Sequence, residues 1–326
     1  MNDISTPVLL DLIEEALGRF QAPLNSPRAG RAEKVDVQRA AFWFVQAELL
    51  KLPAFGIQML LRDLERLDAI AAAGPTGEPV AAALSIDASR MPGHVALALA
   101  VRLAAQAVKA QGAAIFGIRN VGALGVLGCA ARSLAIDGAV AVISANSSAF
   151  VTPWQGTAAA IGTNPLAVAA PRANAAPLVI DYSTSPMTMA ALRHARAADG
   201  VLPPSGAVDR NGQRTSDPAQ AAALLPQGRI GSLTGLALEL ITGVGIGGRV
   251  PAGSSAAERS ALVIAYAPEA MGNPDAAALC AQLARDWQQA GGHVPGRFDA
   301  LPLDREHLPA AIEIDSATLA ALRARR

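Results

Sequence analysis

Apolar residues recur at helical spacing through the first seventy positions of the chain. Leu9, Ile13 and Leu17 share one side of a predicted helix that begins near Thr6. The same spacing predicts further helices over residues 37–50 and 56–70, and a terminal helix over residues 316–325. We therefore predict that the chain begins with a small helical unit.

After residue 73 the pattern changes to short, continuous apolar runs of the kind found in buried strands. These runs occupy residues 80–84, 114–118, 139–145, 178–182 and 262–266. Helical spacing returns between them, at residues 95–111, 236–242 and 276–289. Strands interspersed with helices predict an α/β fold.

Two glycine runs differ in their position relative to the predicted elements. Gly122, Gly125 and Gly128 follow a predicted strand and open a helix, where backbone amides can approach a phosphate group. Their spacing is not that of the dinucleotide fingerprint, and glycines here serve close helix packing equally well. The second run, from Gly243 to Gly248, follows a predicted helix and is typical of a helix C-terminus and a flexible turn.

Polar residues that border predicted strands are candidates for ligand binding. Residues 162–165, Gly-Thr-Asn-Pro, predict a tight turn before an apolar run. Asp181 and Tyr182 end a predicted strand and lead into hydroxyl residues 183–185, at the strand end where α/β sheets often bind ligands. The same residues would serve equally well as a helix N-cap cluster, and both interpretations stay open.

The chain has four histidines and two cysteines, and their spacing matches no common metal site. Cys129 and Cys280 are predicted to be ordinary reduced cysteines. His94, at a predicted helix start, and His194, beside Arg193, are either structural residues or proton carriers. We expect no bound metal.

Charge and hydropathy exclude two classes of partner. The 27 basic and 27 acidic residues are interspersed, so no positive field is present to attract nucleic acid phosphates. The most apolar long stretch, residues 113–131, is interrupted by Arg119, Asn120 and glycines and is not expected to span a membrane. Residues 1–13 lack a basic region followed by an apolar run, so no signal peptide is predicted.

Together these segments resemble the malate/L-lactate dehydrogenase family, which includes ureidoglycolate dehydrogenases and cyclic imino acid reductases. The similar segments are residues 52–67, 119–128, 146–148, 153–154, 162–165, 181–185, 231–232, 239–243 and 294–296. The resemblance implies an α/β, non-Rossmann NAD(P)-binding fold with a mostly antiparallel mixed sheet. A helical unit, residues 1–72 joined by 305–326, would accompany a cofactor-binding sheet domain, residues 73–304. NAD or NADP, a small-molecule substrate and a cytoplasmic homodimer are implied as well.

The resemblance also assigns candidate binding residues, position by position. Thr163 matches a substrate-contacting threonine, and Met59 stands at a second substrate-contacting position. The candidate cofactor-binding residues are Gly125, Ser148, Asp181, Tyr182, Ser183, Arg229 and Ser232. The choice between NAD and NADP stays open, because Arg229 and Arg249 are both candidates for contact with a 2′-phosphate.

Several positions that carry polar catalytic residues in the family carry apolar residues in this chain. Ala54 and Phe55 stand where the family has Ser-His, whose histidine donates a proton to the substrate. Met59 replaces an arginine that pairs with the substrate carboxylate, and Ala123 replaces a histidine of the glycine-rich loop. Further charged residues are replaced at Met189, Ala191 and Ile230.

Because all these replacements are from polar to apolar, the active site is either rebuilt or has lost its chemistry. In the first hypothesis the chain is an NAD(P)H-dependent oxidoreductase that reduces a small imine or 2-oxo compound in an apolar site. An iminium already carries its proton and needs only the hydride, and where a donor is needed, His94 or His194 would substitute. In the second hypothesis the chain is a catalytically inactive family member that binds a cofactor or regulates a partner.

Overall fold

The described part of the chain divides into two compact units. The structure is a computed structural model that describes residues 2–20, 32–73, 84–204, 206–254 and 259–325. The first unit contains Met1–Ile143, Ala167–Ile180 and Val263–Arg326, and the second contains Ser144–Leu166 and Asp181–Leu262. These limits differ from the boundary placed between residues 72 and 73, and cofactor binding by residues 73–304 stays a prediction.

The described residues form helices and strands in mixed order along the chain. The helices are α1 (Thr6–Gly18), α2 (Lys34–Leu49), α3 (Ile57–Ala73), α4 (Gly93–Gln111), α5 (Leu127–Ile136), α6 (Met189–Ala197), α7 (Gly228–Leu238), α8 (Ala276–Gln289) and α9 (Ser316–Arg323). A π-helix, Glu239–Gly247, continues α7, and short 3-10 turns span Pro53–Phe55 and Pro268–Met271. The strands are β1 (Asn2–Ser5), β2 (Ser85–Asp87), β3 (Ala113–Val121), β4 (Val140–Ala145), β5 (Leu166–Ala170), β6 (Leu178–Tyr182), β7 (Ala207–Val208), β8 (Arg214–Thr215), β9 (Ala223–Leu224), β10 (Arg259–Tyr266) and β11 (Ala311–Ile314).

The N-terminal and C-terminal segments of the first unit pack against each other. Strand β1 pairs antiparallel with β11, and α9 packs against α1 and α3. Helix α1 has Pro7 in its first turn, where the missing amide hydrogen costs nothing, and it buries Leu9, Ile13 and Leu17. Asp315 caps α9 by accepting a hydrogen bond from the Thr318 amide at 2.8 Å, which lowers the pKa of Asp315.

Helices α2 and α4 pack against each other and are joined by a buried ion pair. Arg102 donates through Nε and Nη2 to the two carboxylate oxygens of Asp36, each at 2.9 Å. This two-point contact satisfies a carboxylate that is almost fully buried. Trp43 of α2 donates its indole hydrogen to the Ser133 hydroxyl at 3.1 Å, so α5 is held to the same core.

The principal sheet has six strands in the order β2-β3-β10-β4-β5-β6, with β2 and β3 parallel. Three two-residue strands form a second small sheet in the order β8-β7-β9. Both pairings of β7 are antiparallel. The predicted α/β class is confirmed by this combination of a mixed sheet with flanking helices.

Two local predictions require correction. The glycines after residue 242 include the predicted helix C-terminus, since the helical segment ends at Gly247 with φ +94°, but Gly243 and Gly245 lie inside the π-helix and not in a turn. The hydroxyl residues 183–185 are not the N-cap of α6, since Thr188 fills that role by accepting from the Ala191 amide. Most of the strand predicted over residues 80–84 lies outside the described residues.

Candidate functional site

The first unit places two of the positions that the resemblance marks as altered, Ala54 and Phe55, on a single 3-10 turn. Ala54 and Phe55 are half-buried in this turn, and Met59 is buried one helical turn further along, in α3. Arg62 donates to the Ala54 carbonyl at 2.7 Å and fixes the turn from the side of α3. Apolar side chains therefore occupy all three of these positions, at which the resemblance implies polar ones.

The Glu48 carboxylate stabilises the chain just after the 3-10 turn through a hydrogen bond. Its carboxylate accepts a hydrogen bond from the Ile57 amide at 2.8 Å, and a Cβ at Gly56 would lie 2.2 Å from its Oε1 atom. Glycine is thus required at position 56 for this close approach. Burial raises the pKa of Glu48, while the hydrogen bond from Ile57 lowers it.

Asp63 of α3 joins the glycine-rich loop to the start of α4. It accepts from the Gly93 amide at 2.6 Å and pairs with Arg66 at 2.8 Å. A Cβ at Gly122 would lie 1.9 Å from its Oδ1 atom, so the loop backbone passes directly over the carboxylate. A Cβ at Gly93 would in turn lie 2.3 Å from the Ala123 carbonyl oxygen. The loop backbone at Gly122 and Ala123 therefore packs closely against Asp63 and the start of α4. Sequence reasoning did not single out Asp63.

His94 lies beside the altered catalytic turn. Its ring stacks on Phe44 with 3.7 Å between centroids, and a Cβ at Gly125 would lie 2.4 Å from its Nε2 atom and 3.3 Å from the Phe55 carbonyl oxygen. The structure therefore brings together three predicted site residues, His94, Gly125 and Phe55. Burial lowers the pKa of His94 to about 3, so the ring is neutral at physiological pH.

In the second unit, the Gly-Thr-Asn-Pro turn forms a hydrogen-bonded cluster with Ser147. The Thr163 amide donates to the Ser147 hydroxyl at 3.0 Å, and the two hydroxyl oxygens are 3.4 Å apart. The Ser147 amide donates to the side-chain oxygen of Asn164 at 3.2 Å. A Cβ at Gly162 would lie 2.2 Å from the Ser147 hydroxyl, which explains the glycine. Thr163 stays half-buried, with its hydroxyl at the edge of this cluster.

Glu239 supports that cluster from the π-helix. Asn164 is fully buried and donates to the Glu239 carboxylate at 2.8 Å and to the Gly235 carbonyl at 3.1 Å. Glu239 is buried as well, and Arg249 is 4.0 Å from its other oxygen. Sequence reasoning did not select Glu239 as a site residue, although a single acid inside an apolar helical stretch is a signal that points to it.

The predicted cofactor-binding residues of the second unit occupy different surroundings. Tyr182 is exposed at the end of β6, and Asp181, Ser183 and Ser148 are half-buried. Ser183 donates to the Ser185 carbonyl at 2.8 Å, and the adjacent Thr184 donates through its amide and its hydroxyl to the Thr163 carbonyl, each at 3.0 Å. The segment that follows β6 is therefore tied to the Thr163 turn.

Four other predicted residues lie outside this cluster of hydrogen bonds. Ser232 accepts at its hydroxyl from the Trp154 amide at 2.9 Å, whereas Arg229 is exposed in the first turn of α7. Ala191 and His194 are exposed on α6. The geometry gives His194 no contact with the Thr163 cluster among the described residues.

The described residues contain no group of three potential metal ligands among His, Cys, Asp and Glu. The helical segment Gly228–Gly247 is long and apolar enough to cross a membrane by length and composition, with a mean hydropathy of 1.5. That segment is not the stretch 113–131 identified from the sequence. One such helix is weak evidence for a membrane span, because helices of soluble proteins pass the same test.

Similar proteins are oxidoreductases of small acids. The (2R)-3-sulfolactate dehydrogenase (NADP(+)) of Chromohalobacter salexigens is 32% identical over 168 residues, 51% of this chain and 50% of that protein. A Delta(1)-pyrroline-2-carboxylate/Delta(1)-piperideine-2-carboxylate reductase of Pseudomonas putida is 34% identical over 167 residues, 50% of this chain and 49% of that protein. The chain thus spans about half the length of these curated relatives.

The fold is shared over the full length of a solved structure. The delta1-piperideine-2-carboxylate reductase of Pseudomonas syringae pv. tomato superposes with a TM-score of 0.77 at 27% identity, covering 100% of both chains. The predicted family fold is confirmed by this match. A family model described as malate/L-lactate dehydrogenase matches residues 28–322. The chain therefore belongs to the malate/L-lactate dehydrogenase family.

Proposed function

We propose that this chain is an NAD(P)H-dependent oxidoreductase that reduces a small imine of the cyclic imino acid type, or a related 2-oxo compound, in an apolar active site. Family membership supports the oxidoreductase class. Relatives named as cyclic imine reductases, one of them 37% identical over 119 residues, support the imine. The substrate is the part of the proposal that needs a physical argument.

The observation that carries the choice of an imine is an apolar side chain at the position that the family resemblance assigns to the proton donor. Phe55 occupies the donor position, and the adjacent His94 is buried and neutral. A carbonyl that accepts hydride at carbon becomes an alkoxide and must then take a proton. In a protonated imine the carbon accepts the hydride, the C=N π electrons move to nitrogen, and that nitrogen already carries its hydrogen. A site without a proton donor therefore suits the protonated imine better than the carbonyl.

The cofactor is NAD or NADP, which supplies the hydride when its reduced form is bound. The donor set fits such a group, because the hydroxyls of Ser148, Ser183 and Ser232 and the guanidinium of Arg229 are ordinary partners for ribose and phosphate oxygens. Gly125 is assigned to the cofactor by the family resemblance, and a Cβ at this position would meet the His94 ring. The remaining proposed cofactor contacts are Asp181 and Tyr182. We assign Thr163 and Met59 to the substrate.

Turnover by the purified chain tests this proposal. NADH and NADPH oxidation would be followed with Δ1-piperideine-2-carboxylate, with Δ1-piperideine, which lacks the carboxylate, and with pyruvate. We expect kcat/KM for the imines to exceed that for pyruvate by about 10²-fold or more, the usual contribution of a missing general acid. Equal values for imine and pyruvate would contradict the assignment. Thr163→Val is expected to raise KM, and the exposed control His194→Gln is expected to leave the kinetics unchanged.

The same measurements decide the alternative of a catalytically inactive family member. NADH or NADPH binding without turnover of any substrate in the panel would favour a cofactor-binding or regulatory role. This alternative rests on the replacements at Ala54, Phe55, Met59 and Ala123. The sequence similarity to active reductases favours the enzyme.

We further propose that the protein is a soluble, cytoplasmic homodimer. The segment Gly228–Gly247 supports the dimer, because it exposes large apolar side chains that helical spacing places on one side, and exposed apolar patches of this kind mark contact surfaces. These side chains are Ile230, Leu233, Leu236, Leu240, Ile241 and Val244.

Sedimentation of the wild type and of Leu233→Lys with Val244→Lys tests the dimer. We expect a dimer that the double variant converts to folded monomers, while Val201→Lys, which changes an exposed valine outside this segment, stays dimeric. Flotation of the wild type with lipid vesicles would instead indicate a membrane surface. A wild-type monomer in solution would contradict the proposal.

A further inference from the structure

A cavity of about 470 Å³ lies in the first unit, lined by the end of α5, the turn between β5 and β6, and residues before β11. Its polar lining consists of Arg132, Arg172 and Asp299. The remaining wall is apolar and includes Ile136, Pro171, Pro177 and Leu301. A volume of this size is within the range of small-molecule sites. None of these residues belongs to the site of the proposed reaction.

Arg132 is a buried cation that no carboxylate contacts directly. Only 1% of the residue is exposed, and its guanidinium donates to the Leu301 carbonyl at 2.8 Å and the Pro302 carbonyl at 3.1 Å. Its Nε atom has no hydrogen-bond partner among the described residues. Burial lowers the pKa of Arg132, since the charged form is costly to hold away from water.

The neighbouring Arg172 forms an ion pair with Asp299, the carboxylate among the residues that line the cavity. Arg172 donates to Asp299 at 2.9 Å and, through Nε, to the Ala176 carbonyl at 2.8 Å. Asp299 is half exposed to solvent and also attracts Arg132 at longer range. Two guanidinium groups and one carboxylate leave the cavity with a net charge of +1. One further negative charge would neutralise it.

We propose that this cavity is a second binding site, for a small organic monocarboxylate with an apolar body. The charge matches a single carboxylate, whereas a phosphate dianion would overcompensate it. Arginine binds carboxylates through paired, charge-assisted hydrogen bonds, and the alanine, proline and leucine wall suits a short hydrocarbon chain. The site therefore binds an anion independently of the nicotinamide cofactor and the substrate.

Calorimetric titration with butyrate, benzoate and inorganic phosphate tests the proposal, with saturating NADPH present throughout. Ala175 is exposed at the edge of the cavity, so Ala175→Phe fills the space from the surface, and Ala175→Ser is the matched control that leaves it open. We expect a carboxylate to bind the wild type and the serine variant, and to bind Ala175→Phe at least about tenfold more weakly.

Arg132→Met tests the charge separately, because methionine keeps much of the packing volume. We expect this variant to lose carboxylate binding without losing its fold. Thr163→Val, which alters the proposed substrate site, is expected to keep carboxylate binding, which separates the two sites. The proposal is overturned if no carboxylate binds the wild type, if phosphate binds equally well, or if Ala175→Phe binds like Ala175→Ser. If Arg132→Met does not fold, the comparison of Ala175→Phe with Ala175→Ser still tests the proposal.

Discussion

Gly125 occupies a position where a side chain would meet both backbone strain and a steric clash. Its φ of +70° disfavours L-residues, and a Cβ would touch the His94 ring. We expect Gly125→Ala to lower the free energy of unfolding by about 2–4 kcal/mol, from about 1–2 kcal/mol of left-handed strain and a comparable cost of overpacking. Gly138→Ala is the matched control, since Gly138 has φ +89° but open space around it.

Chemical denaturation of both variants separates these two causes. The control should show the strain alone, so the difference between the variants measures the contact with His94. If both variants lose the same stability, the clash with His94 contributes nothing. A weakened affinity of folded Gly125→Ala for NADPH would additionally support the assignment of Gly125 to the cofactor.

The burial of His94 predicts a pH dependence of stability. The folded pKa is about 3 and the ordinary value is 6.5, so between these values the unfolded chain binds a proton that the folded chain excludes. Stability is therefore full above pH 6.5 and falls as the pH decreases, by up to about 1.4 kcal/mol per pH unit for this group. The raised pKa of Glu48 acts in the opposite direction, because its folded form binds the proton more readily.

Comparison of the wild type with His94→Leu isolates this effect. Between about pH 7.5 and about pH 5 the wild type should lose about 2 kcal/mol more than the variant in urea denaturation. Val201→Leu, at an exposed position without a titratable group, serves as control and should retain the wild-type slope. Parallel pH profiles for the wild type and His94→Leu would show that His94 titrates normally in the folded protein.

At the scale of elements, the π-helix contains a pair of glycines with contrasting surroundings. A Cβ at Gly243 would lie 2.6 Å from the Glu239 carboxylate and 3.1 Å from the Asn146 side chain, whereas at Gly245 the nearest atom is the Leu240 carbonyl oxygen at 3.2 Å. We expect Gly243→Ala to destabilise the protein by about 1–3 kcal/mol through overpacking. Gly245→Ala should change stability by less than about 1 kcal/mol, because alanine also restricts the unfolded chain.

Thermal unfolding of the two alanine variants measures this difference. Equal melting temperatures would mean that Glu239 and Asn146 move aside easily. In that case Glu239 would not hold Asn164, and through it the Thr163 turn, as rigidly as the hydrogen bonds indicate.

Long elements with clear periodicity were predictable from the sequence, and their surroundings were not. Helix α8 begins and ends at the predicted residues 276 and 289. Within it, Leu279, Leu283 and Trp287 recur every four positions, which is the spacing of a helix. Yet all three side chains are more than half exposed, so the periodicity identified the helix without identifying a buried face. Helix α6 was not predicted, because its nine residues mix apolar and charged side chains. Strands β7–β9 were not predicted, because two residues are too few to show an alternation of apolar and polar positions.

At the scale of the whole molecule, the resemblance identified the altered positions, while the supporting residues required the fold. Asp63 contacts Gly93 thirty positions away, and Asn164 contacts Glu239 seventy-five positions away. No local pattern contains such long-range pairings. The family motif located Phe55 and Gly125, and the fold added that the His94 ring lies against Gly125 in a buried, neutral state.

The proposed function predicts that the specificity of the molecule changes when a proton donor is introduced at position 55. Phe55→His combined with Ala54→Ser introduces the family residues in a turn that is only half-buried, unlike the fully buried His94. We expect kcat/KM for pyruvate to rise by about 10-fold or more, toward the 10²- to 10⁴-fold typical of general acid catalysis. Reduction of Δ1-piperideine should change far less, because the iminium brings its own proton.

Phe55→Leu, the control, alters the turn without adding a donor and should leave pyruvate reduction at its starting level. If the double variant folds and reduces pyruvate no faster than this control, the absence of a donor at position 55 does not explain the preference for imines, and the replacement of arginine by Met59 becomes the stronger explanation.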